Sequence, residues 1–330
     1  LLVALYLRQQ KKKQLEDVRS NMKDPAVIAQ SVYRRMLYGD DHIYAVRSYG
    51  IEASVEKISL DDVKTFYNKY YAPEVSELVV VGAVSKQEIM PSLEFLKKWK
   101  NKGVKIPELA PVKDQEKTRI YLVDKKEAPQ SEIRIGYVTD MPYDATGDYF
   151  KSYLMNYALG GAFNSRINLN LREDKGWTYG AWSLFDSDDD PGPYTAEGGI
   201  RADATAGAVY EFMKEITNYK NNGITDDELT FMRNSVGQRD ARSYETPDQK
   251  ATFLSRIVHY DLDRSYVDEQ TRIIKTITKE EINALADKKL QVDKMNIVVV
   301  GDKASNIEKL NELGYEIIEL NEKGEVIDSK

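Results

Sequence analysis

The chain has 330 residues, of which 42% are hydrophobic and 31% charged, so it has room for about two soluble globular domains. Its formal net charge of −7 argues against nucleic acid or an anionic membrane as the main partner, because phosphate binding needs clustered lysine and arginine. The sequence lacks cysteine, which excludes disulfides, thiolate zinc sites and cysteine nucleophiles, and no apolar run approaches the roughly 20 residues of a membrane span.

The chain opens on a helical pattern. The segment LLVALYLRQQKKKQ is too short for a signal peptide, lacks a basic start and runs directly into a polar helix. This pattern is typical of the middle of a helix. We therefore expect the chain to begin inside a larger protein.

Two segments of the chain repeat each other. Residues 58–82 and 277–301 match position by position, and each combines a helix-capping start, an amphipathic helix and a V-V-V-G strand. A weaker match upstream, at a slightly larger offset, pairs Pro25, Tyr38 and Tyr44 with Pro247, Tyr260 and Tyr266. Chance similarity is the alternative, but two matching blocks in the same order favour a duplicated unit of about 220 residues.

The repeat divides the chain into two parts. We expect residues 1–100 to form the second half of one α/β unit, with helices and one core strand, and residues 118–330 to form a complete unit. Residues 101–117, with Pro107 and Pro111 among lysines, are the predicted linker. Because the first half of the earlier unit is absent, we expect its sheet to expose an edge through which two copies form a homodimer.

In the complete unit the predicted elements run in blocks. Alternating apolar and polar residues predict strands, and helical periodicity with capping residues predicts helices. In chain order the predicted strands are residues 118–124, 132–138, 177–185, 194–202 and 295–301. The predicted helices are residues 148–159, ending at Gly160 and Gly161, a following helix to Asn170, then 206–221, 225–242, 248–260 and 278–290, with a short helix and strand at the end. This order predicts the α+β class, with a mixed or antiparallel sheet and helices packed on one face.

The segment LREDKGWTYGA, from residue 171, carries the strongest functional signal. Arg172 lies at the end of a predicted helix, Tyr179 lies in the following strand, and Gly176 supplies the bend between them. This geometry can aim a cation and a phenol at one point, as holding a peptide carbonyl requires. The alternative is a surface arginine paired with Glu173 or Asp174 and a tyrosine in an ordinary aromatic strand.

The wider string L-G-G-x-x-x-S-R-I, from residue 159, followed by L-R-E-x-x-G-x-x-Y resembles the substrate-binding half of the pitrilysin/insulinase/mitochondrial processing peptidase family. GDDHIYAVRSYG, from residue 39, is similar to a glycine–histidine–tyrosine segment of that family. The resemblance implies that Arg172 and Tyr179 hydrogen-bond the substrate backbone near the scissile bond. It also implies that Gly160 and Gly161 let the chain turn tightly beside the substrate.

The resemblance also implies partners. Members of this family are zinc endopeptidases with an inverted H-x-x-E-H motif. In them a zinc-bearing unit and a non-catalytic unit face each other, and an extended peptide lies between them as an added strand. The implied substrate is an extended peptide or small protein, and the implied partner is a zinc-bearing unit in the same polypeptide or in another subunit. Relatives of this type are often exported, which favours the periplasm.

The metal motif itself is missing from this chain. Its two histidines, His42 and His259, lie outside any H-x-x-E-H string, whereas a catalytic zinc needs about three protein ligands. Glu16 lies in roughly the region of the family's third ligand, but its neighbours do not match. We therefore expect no metal ligand and no bound cofactor in this chain, with zinc held elsewhere in the intact enzyme. The chain alone is predicted to be inactive.

The acidic segment DSDDDPGPYTAE, from residue 186, has carboxylates at the spacing of a calcium-binding loop. Pro191 stands where such a loop needs glycine, and the flanking residues have strand patterns rather than helical ones. A hairpin turn is therefore the prediction for this segment.

The sequence thus predicts the C-terminal, substrate-binding and non-catalytic part of a zinc-dependent endopeptidase of the pitrilysin class. The alternative is a catalytically dead family member that acts as a scaffold or binding subunit. Retention of Arg172 and Tyr179 favours the substrate-gripping interpretation, and an upstream H-x-x-E-H unit in the full gene would support it. An unrelated α+β binding protein is a third interpretation.

Overall fold

The structure is a computed structural model that describes residues 2–240 and 244–327. Its centre is a mixed sheet of six strands: β1 (Arg119–Asp124), β2 (Gln130–Val138), β3 (Thr178–Phe185), β4 (Pro193–Arg201), β5 (Asn296–Gly301) and β6 (Glu316–Leu320). Their order across the sheet is β3-β4-β2-β5-β1-β6. β1 runs parallel to β5 and β6, whereas β2 runs antiparallel to β4 and β5, and β3 antiparallel to β4.

Helices fill most of the remaining chain. They are α1 (Leu2–Asn21), α2 (Pro25–Tyr38), α3 (Glu52–Lys57), α4 (Leu60–Tyr70), α5 (Lys86–Ser92), α6 (Asp148–Asn156), α7 (Arg166–Asn168), α8 (Thr205–Asn222), α9 (Asp226–Asp240), α10 (Pro247–His259), α11 (Tyr266–Thr276), α12 (Lys279–Lys289) and α13 (Lys303–Asn311). Two π-helical turns, Tyr157–Gly161 and Leu169–Asp174, flank α7.

Capping residues fix several of these helix starts. At α9 the Glu228 N–H donates to the Thr225 hydroxyl, and the Thr225 N–H donates back to the Glu228 carboxylate. Thr278 and Glu281 form the same reciprocal pair at α12, as predicted. The predicted end of the α9 helix, Arg242, lies outside the described residues.

The sequence analysis did not predict α11. This helix is amphipathic, with Tyr266, Ile273 and Ile274 buried and charged residues on its exposed side, so the sequence does carry a helical signal here. The helix starting at Asp148 does not end at its glycine pair but continues as a π-helical turn through Gly161. Apolar periodicity gives no sign of such an irregular continuation.

Helices cover both faces of the sheet. On one face α6, α8 and α12 pack over fully buried residues such as Ile120, Ile133 and Ile297. On the other face α2 packs through Ile28 and Val32 against the centre of the sheet. The α+β class with a mixed sheet is confirmed, and α2 adds cover on the face that was expected to be bare. β5 is buried along its whole length, and such a strand needs cover on both faces.

The core strand predicted in the first repeat is absent. Residues 79–82, its V-V-V-G segment, have no strand neighbour among the described residues, and Leu78 and Val80 are exposed. A strand forms only where its backbone N–H and C=O groups find partners. The equivalent of Val80 in the second repeat, Val299, lies in β5 between β1 and β2 and is buried.

The repeat seen in the sequence is also present in the boundaries of the helices and turns. α4 and α12 begin and end at equivalent positions of the two repeats, and so do the 3₁₀ turns Pro73–Val75 and Val292–Lys294. α2 and α10 begin at the paired residues Pro25 and Pro247, so each has proline in its first turn. Beyond these helices, Gly39 and Asp261 lie at equivalent positions and both have a positive φ, of 77° and 47°.

Both edges of the sheet are partly covered. At the β3 edge, Asn168 Oδ1 accepts the Ala181 N–H at 3.0 Å, and Asn156 Nδ2 donates to the Ser183 carbonyl at 2.6 Å. At the opposite edge the chain returns along β6 and is hydrogen-bonded to it. Backbone groups that are bonded in this way are not free to pair with another strand.

The sheet edge predicted for self-pairing is not present. Residues 2–118, all of which the structure describes, contain no strand, so this region offers no edge through which two copies could form a homodimer. The reason is the missing strand neighbour at residues 79–82. Separately, none of the described helices is both long and apolar enough to cross a bilayer.

Candidate functional site

The bend before β3 forms as the sequence predicts. Gly176 has a left-handed φ of 65°, and its N–H donates to the Arg172 carbonyl at 3.1 Å. The Trp177 N–H donates to the Leu171 carbonyl at 3.0 Å, so the chain passes directly from the π-helical turn into the strand. Glycine permits this conformation because it has no Cβ to clash with the following carbonyl. The bend thus fixes the backbone of Arg172 beside the start of β3.

The Arg172 side chain contacts the Phe163 ring and is partly exposed to solvent. Its guanidinium lies 4.4 Å from the centroid of the Phe163 ring, a cation–π contact. Its Nη1 lies 3.2 Å from Glu173 Oε1 but makes no aligned hydrogen bond with the described residues, and 33% of the side chain is exposed. The ion pair of the alternative interpretation is therefore present. Pairs of this exposed kind contribute only about 0–1 kcal/mol, so stability alone does not explain the residue.

Tyr179 lies at an irregularity in the edge strand. The register between β3 and β4 shifts between Thr178 and Ala181, and the Thr178 hydroxyl accepts the Gly180 N–H at 3.0 Å. A β-bulge of this kind re-aims a side chain. Tyr179 is 91% exposed, and its hydroxyl has no hydrogen-bond partner in the described part of the chain. The strand therefore presents an unoccupied phenol to solvent.

The glycine pair has a packing role. Gly160 and Gly161 lie in the π-helical turn, and neither has a left-handed φ. Gly160 is buried, and a Cβ at this position would lie 2.1 Å from Ser183 Oγ and 2.6 Å from Ser183 N. Gly161 is exposed, and its Cβ would meet Asn156 O at 3.3 Å. Gly160 thus allows the turn to pack directly behind the strand that carries Tyr179.

Arg166 supports the site, although the sequence analysis quoted it only as part of the S-R-I string. It donates to both Glu228 carboxylate oxygens at 2.6 and 2.7 Å and to the Gly223 carbonyl at 2.9 Å, and it lies 4.7 Å from the Tyr219 ring. Burial raises the pKa of Glu228, but hydrogen bonds from Arg166 and Thr225, together with the charge of Arg166, hold this pKa below its usual value of 4.5. The contacts tie α7 to α8 and α9 just ahead of Arg172.

The two histidines do not form the family's zinc site. His42 is buried, and its Nδ1 accepts the Tyr44 N–H at 3.1 Å. His259 is exposed, and its Nε2 lies 3.5 Å from Asp188 Oδ1 and 3.6 Å from Asp189 Oδ2. Sequence spacing gave no acidic partner for His259, because these aspartates come from the distant β3–β4 hairpin. The group of Asp188, Asp189 and His259 contains one histidine, whereas the H-x-x-E-H motif supplies two. It therefore does not fit the catalytic zinc site of the family.

The fold and the site together define a class. A mixed sheet with helices on both faces carries an arginine and an exposed tyrosine at its edge strand, and the described residues hold no group with two histidines. These features define an α+β unit built on a mixed sheet that helices cover on both faces. The family description "Peptidase M16 inactive domain" matches residues 57–236. The chain belongs to this family, the pitrilysin/insulinase/processing peptidase group that its sequence resembles.

Known proteins are similar to this chain in sequence or in structure. The uncharacterized zinc protease YmxG of Bacillus subtilis is 24% identical over 284 residues, which cover 85% of this chain and 67% of that protein. The crystal structure of a peptidase M16 inactive domain from Pseudomonas fluorescens has a TM-score of 0.81 and 26% identity, covering 91% of this chain and 71% of the other. The periplasmic protease PqqL of Escherichia coli has a TM-score of 0.72 and 15% identity, covering 91% and 33%. The chain spans 57–67% of the lengths of its curated relatives.

Proposed function

We propose that this chain is the non-catalytic jaw of a zinc-dependent endopeptidase, in which Arg172 and Tyr179 hold the backbone of an extended peptide. The observation that supports this most is the Tyr179 side chain, which is 91% exposed on a β-bulge. Its hydroxyl is unbonded among the described residues. Tyrosine rings normally bury much of their apolar surface, so a ring that packs on nothing calls for a role outside the fold.

The two side chains match the chemistry of a peptide carbonyl. A carbonyl oxygen accepts hydrogen bonds from a guanidinium and from a phenol, and it gains negative charge when the peptide bond is attacked. A donor that is already in place stabilises this charge without reorganisation, and losing one such donor costs on the order of 10²–10³ in rate. Arg172 and Tyr179 would bind and orient the bond, while another unit would hold the family's zinc.

The edge contacts of β3 limit how this jaw holds a peptide. Asn168 and Asn156 already occupy the Ala181 N–H and the Ser183 carbonyl. A peptide therefore cannot pair with this stretch of β3 as an added strand without displacing both asparagines. We propose that side chains make the contacts on this jaw, and that strand pairing of the kind the resemblance implies belongs to the zinc-bearing unit. Gly160 and Gly161 would contribute by shaping the turn behind β3.

We further propose that residues 2–100 are half of a second α/β unit, and that a zinc-bearing unit covers them. Apolar positions that are buried in the second repeat are exposed in the first. The pairs are Val63 and Ile282 (45% and 0% exposed), Tyr67 and Ala286 (55% and 0%), and Tyr71 and Leu290 (53% and 0%). In the second repeat α6 and α8 pack against this face of α12. Equivalent helices and a sheet, from the same polypeptide or a partner subunit, would bury the matching face of α4.

We also propose a periplasmic location, because the Escherichia coli neighbour is described as a periplasmic protease. Cell fractionation tests this proposal directly. Recovery of the protein with cytoplasmic markers would contradict it.

A crosslinking experiment tests whether Tyr179 meets the peptide. Tyr179 is replaced by the photoreactive residue p-benzoyl-phenylalanine, and the chain is irradiated with a biotin-labelled peptide of roughly 14 serine, threonine and valine residues, long enough to follow the whole of β3. A matched control carries the photoreactive residue at Tyr210, which is 54% exposed on α8, on the helical side of the sheet. We expect the peptide to be labelled from position 179, and excess unlabelled peptide to suppress the labelling.

The control decides between the two interpretations of the chain. Labelling from position 179 but not from position 210 supports the jaw. Equal labelling from both positions, or none from position 179, contradicts it and favours a scaffold that no longer binds substrate.

A further inference from the structure

One face of α8 lies along the bend that carries Arg172. Gly207 and Glu211 are four residues apart on this helix, so their positions share one face. A Cβ at Gly207 would lie 2.9 Å from the Trp177 ring, which therefore packs directly against the helix. Glu211 contacts the π-helical turn before the bend through a hydrogen bond that Asn170 donates. The bend is thus in contact with α8 at both of its ends.

The Glu211 carboxylate contacts the chain on both sides of Arg172. Asn170 Nδ2 donates to Glu211 Oε2 at 2.8 Å, and Lys175 Nζ lies 3.7 Å from Glu211 Oε1. Lys214 Nζ, on α8 itself, donates to Glu211 Oε2 at 3.0 Å. Asn170 comes two residues before Arg172, and Lys175 comes three residues after it. No hydrogen bond or ion pair joins Glu211 to Arg172, both of which the structure describes, so any influence passes through the two flanking residues.

Glu211 is ionised although it is buried. Only 6% of the residue is exposed. Burial raises the pKa of its carboxyl, but hydrogen bonds from Asn170 and Lys214, with the charges of Lys214 and Lys175, hold this pKa below its usual value of 4.5. A buried carboxylate keeps its charge only where hydrogen bonds and cations surround it. One ionised group therefore fixes the direction of the Asn170 amide and attracts the Lys175 ammonium.

The turn between these two contacts is irregular. The Lys175 N–H donates to the Asn170 carbonyl at 3.0 Å, a backbone bond that spans five residues, as in a π-helix. Turns of this kind are rare and occur frequently at functional sites. Because such a turn holds an extra residue, its side chains project in different directions from those of a regular α-helix. The direction of the Arg172 side chain therefore depends on the contacts that hold this turn.

We propose that Glu211 is a positioning residue for Arg172. This inference rests on the proposed function, in which the Arg172 guanidinium holds a peptide carbonyl. The Glu211 carboxylate links the two ends of the π-helical turn, Asn170 and Lys175, to α8. It thereby keeps the guanidinium of Arg172 against the Phe163 ring, 4.4 Å from the ring centroid, and ready for the peptide.

The role proposed for Glu211 is confined to one of the two gripping residues. Tyr179 lies beyond the bend, on the bulge where the Thr178 hydroxyl accepts the Gly180 N–H. Loss of the Glu211 charge should therefore weaken what Arg172 contributes and leave the contribution of Tyr179 unchanged. A carboxylate that only stabilises the fold would not distinguish between them.

Fluorine NMR tests the hold on Arg172 without any peptide. Phe163 is replaced by 4-fluorophenylalanine, whose fluorine resonance is sensitive to a cation lying against the ring. We expect Glu211→Gln, which keeps the shape of the side chain and removes its charge, to move this resonance towards its position in Arg172→Ala. The matched control is Glu319→Gln on β6, at the far edge of the sheet, where the carboxylate pairs with Lys303 at 2.6 Å. It should leave the resonance in place.

A milder variant guards against loss of folding. Asn170→Ala removes the shorter of the two contacts with the turn and leaves the buried Glu211 carboxylate with its lysines. It should move the resonance in the same direction as Glu211→Gln. A resonance that stays in place in either folded variant overturns the inference.

Binding of the serine, threonine and valine peptide to the chain separates this inference from the proposed function. We expect Glu211→Gln to weaken binding about three- to tenfold, to have no further effect once Arg172→Ala is present, and to add fully to Tyr179→Phe. Equal losses from Glu211→Gln with and without Arg172 overturn the positioning role and leave the grip standing. Absence of binding by the unmodified chain overturns the proposed function, whereas the fluorine resonance still decides whether Glu211 positions Arg172.

Discussion

At the scale of single residues, the packing behind β3 depends on a missing side chain. Gly160 lies against Ser183, and the space for a Cβ is already filled by the Ser183 hydroxyl and backbone nitrogen. Ser183 also donates to Asn156 Oδ1 at 2.6 Å, so it cannot move without breaking a buried hydrogen bond. The position of the strand that carries Tyr179 therefore depends on glycine at residue 160.

Replacing the two glycines of the pair should have unequal effects. Gly160→Ala forces a methyl group into the Ser183 side chain and should lower the free energy of unfolding by about 1–3 kcal/mol. Gly161→Ala is the matched control, since its Cβ needs only a small shift, and its effect should stay within about 1 kcal/mol in either direction. Denaturant unfolding of the two variants measures this difference. Equal losses would show that Ser183 yields, and that Gly160 is not needed for packing.

Local sequence was enough to predict some of the candidate site, because Arg172, Gly176 and Tyr179 follow one another along a single bend. Contacts between segments that are distant in the chain could not be predicted from local sequence. Arg166 meets Glu228, and Asn168 reaches Ala181 only after the π-helical turns have been placed. The spacing of residues along the sequence does not predict these pairs, because only the folded chain brings them together.

At the scale of elements, the same sequence pattern has two outcomes in this chain. The V-V-V-G segment is a buried central strand in β5, whereas residues 79–82 form no strand. Apolar content alone was therefore not enough to predict a strand, because a strand also needs a neighbouring strand for its backbone hydrogen bonds. The bulge in β3 was likewise unpredictable, since it depends on how β3 meets β4.

A pair of equivalent substitutions tests this difference between the repeats. Val299→Ser removes buried methyl groups and places a hydroxyl in the core, so it should cost about 2–4 kcal/mol of unfolding free energy. Val80→Ser changes an exposed side chain and should stay within about 0.5 kcal/mol in the chain alone. Denaturant titration of both variants measures the two costs. A large cost at Val80 would mean that this segment is already packed, and the proposed second unit would lose its support.

At the scale of the whole molecule, the proposed second unit accounts both for the exposed apolar face of the first repeat and for the proposed grip on β3. The described residues fold around one sheet, yet Val63, Tyr67 and Tyr71 remain exposed at positions whose counterparts are buried. A second unit that covers them would also carry the family's zinc, for which the histidines of this chain are not arranged. The sequence repeat predicts the equivalent boundaries of α4 and α12, because capping residues and apolar positions recur at the same spacing.

The most direct measurement is the turnover of the intact enzyme, assembled with the proposed zinc-bearing unit, when Tyr179 is changed to phenylalanine. The variant Tyr179→Phe removes one hydroxyl from a fully exposed ring, so folding and zinc content should not change. Tyr210→Phe on α8 is the matched control. The account predicts that kcat falls at least about tenfold for Tyr179→Phe and stays unchanged for Tyr210→Phe. Equal kcat values for the two variants, at equal zinc content, would contradict it.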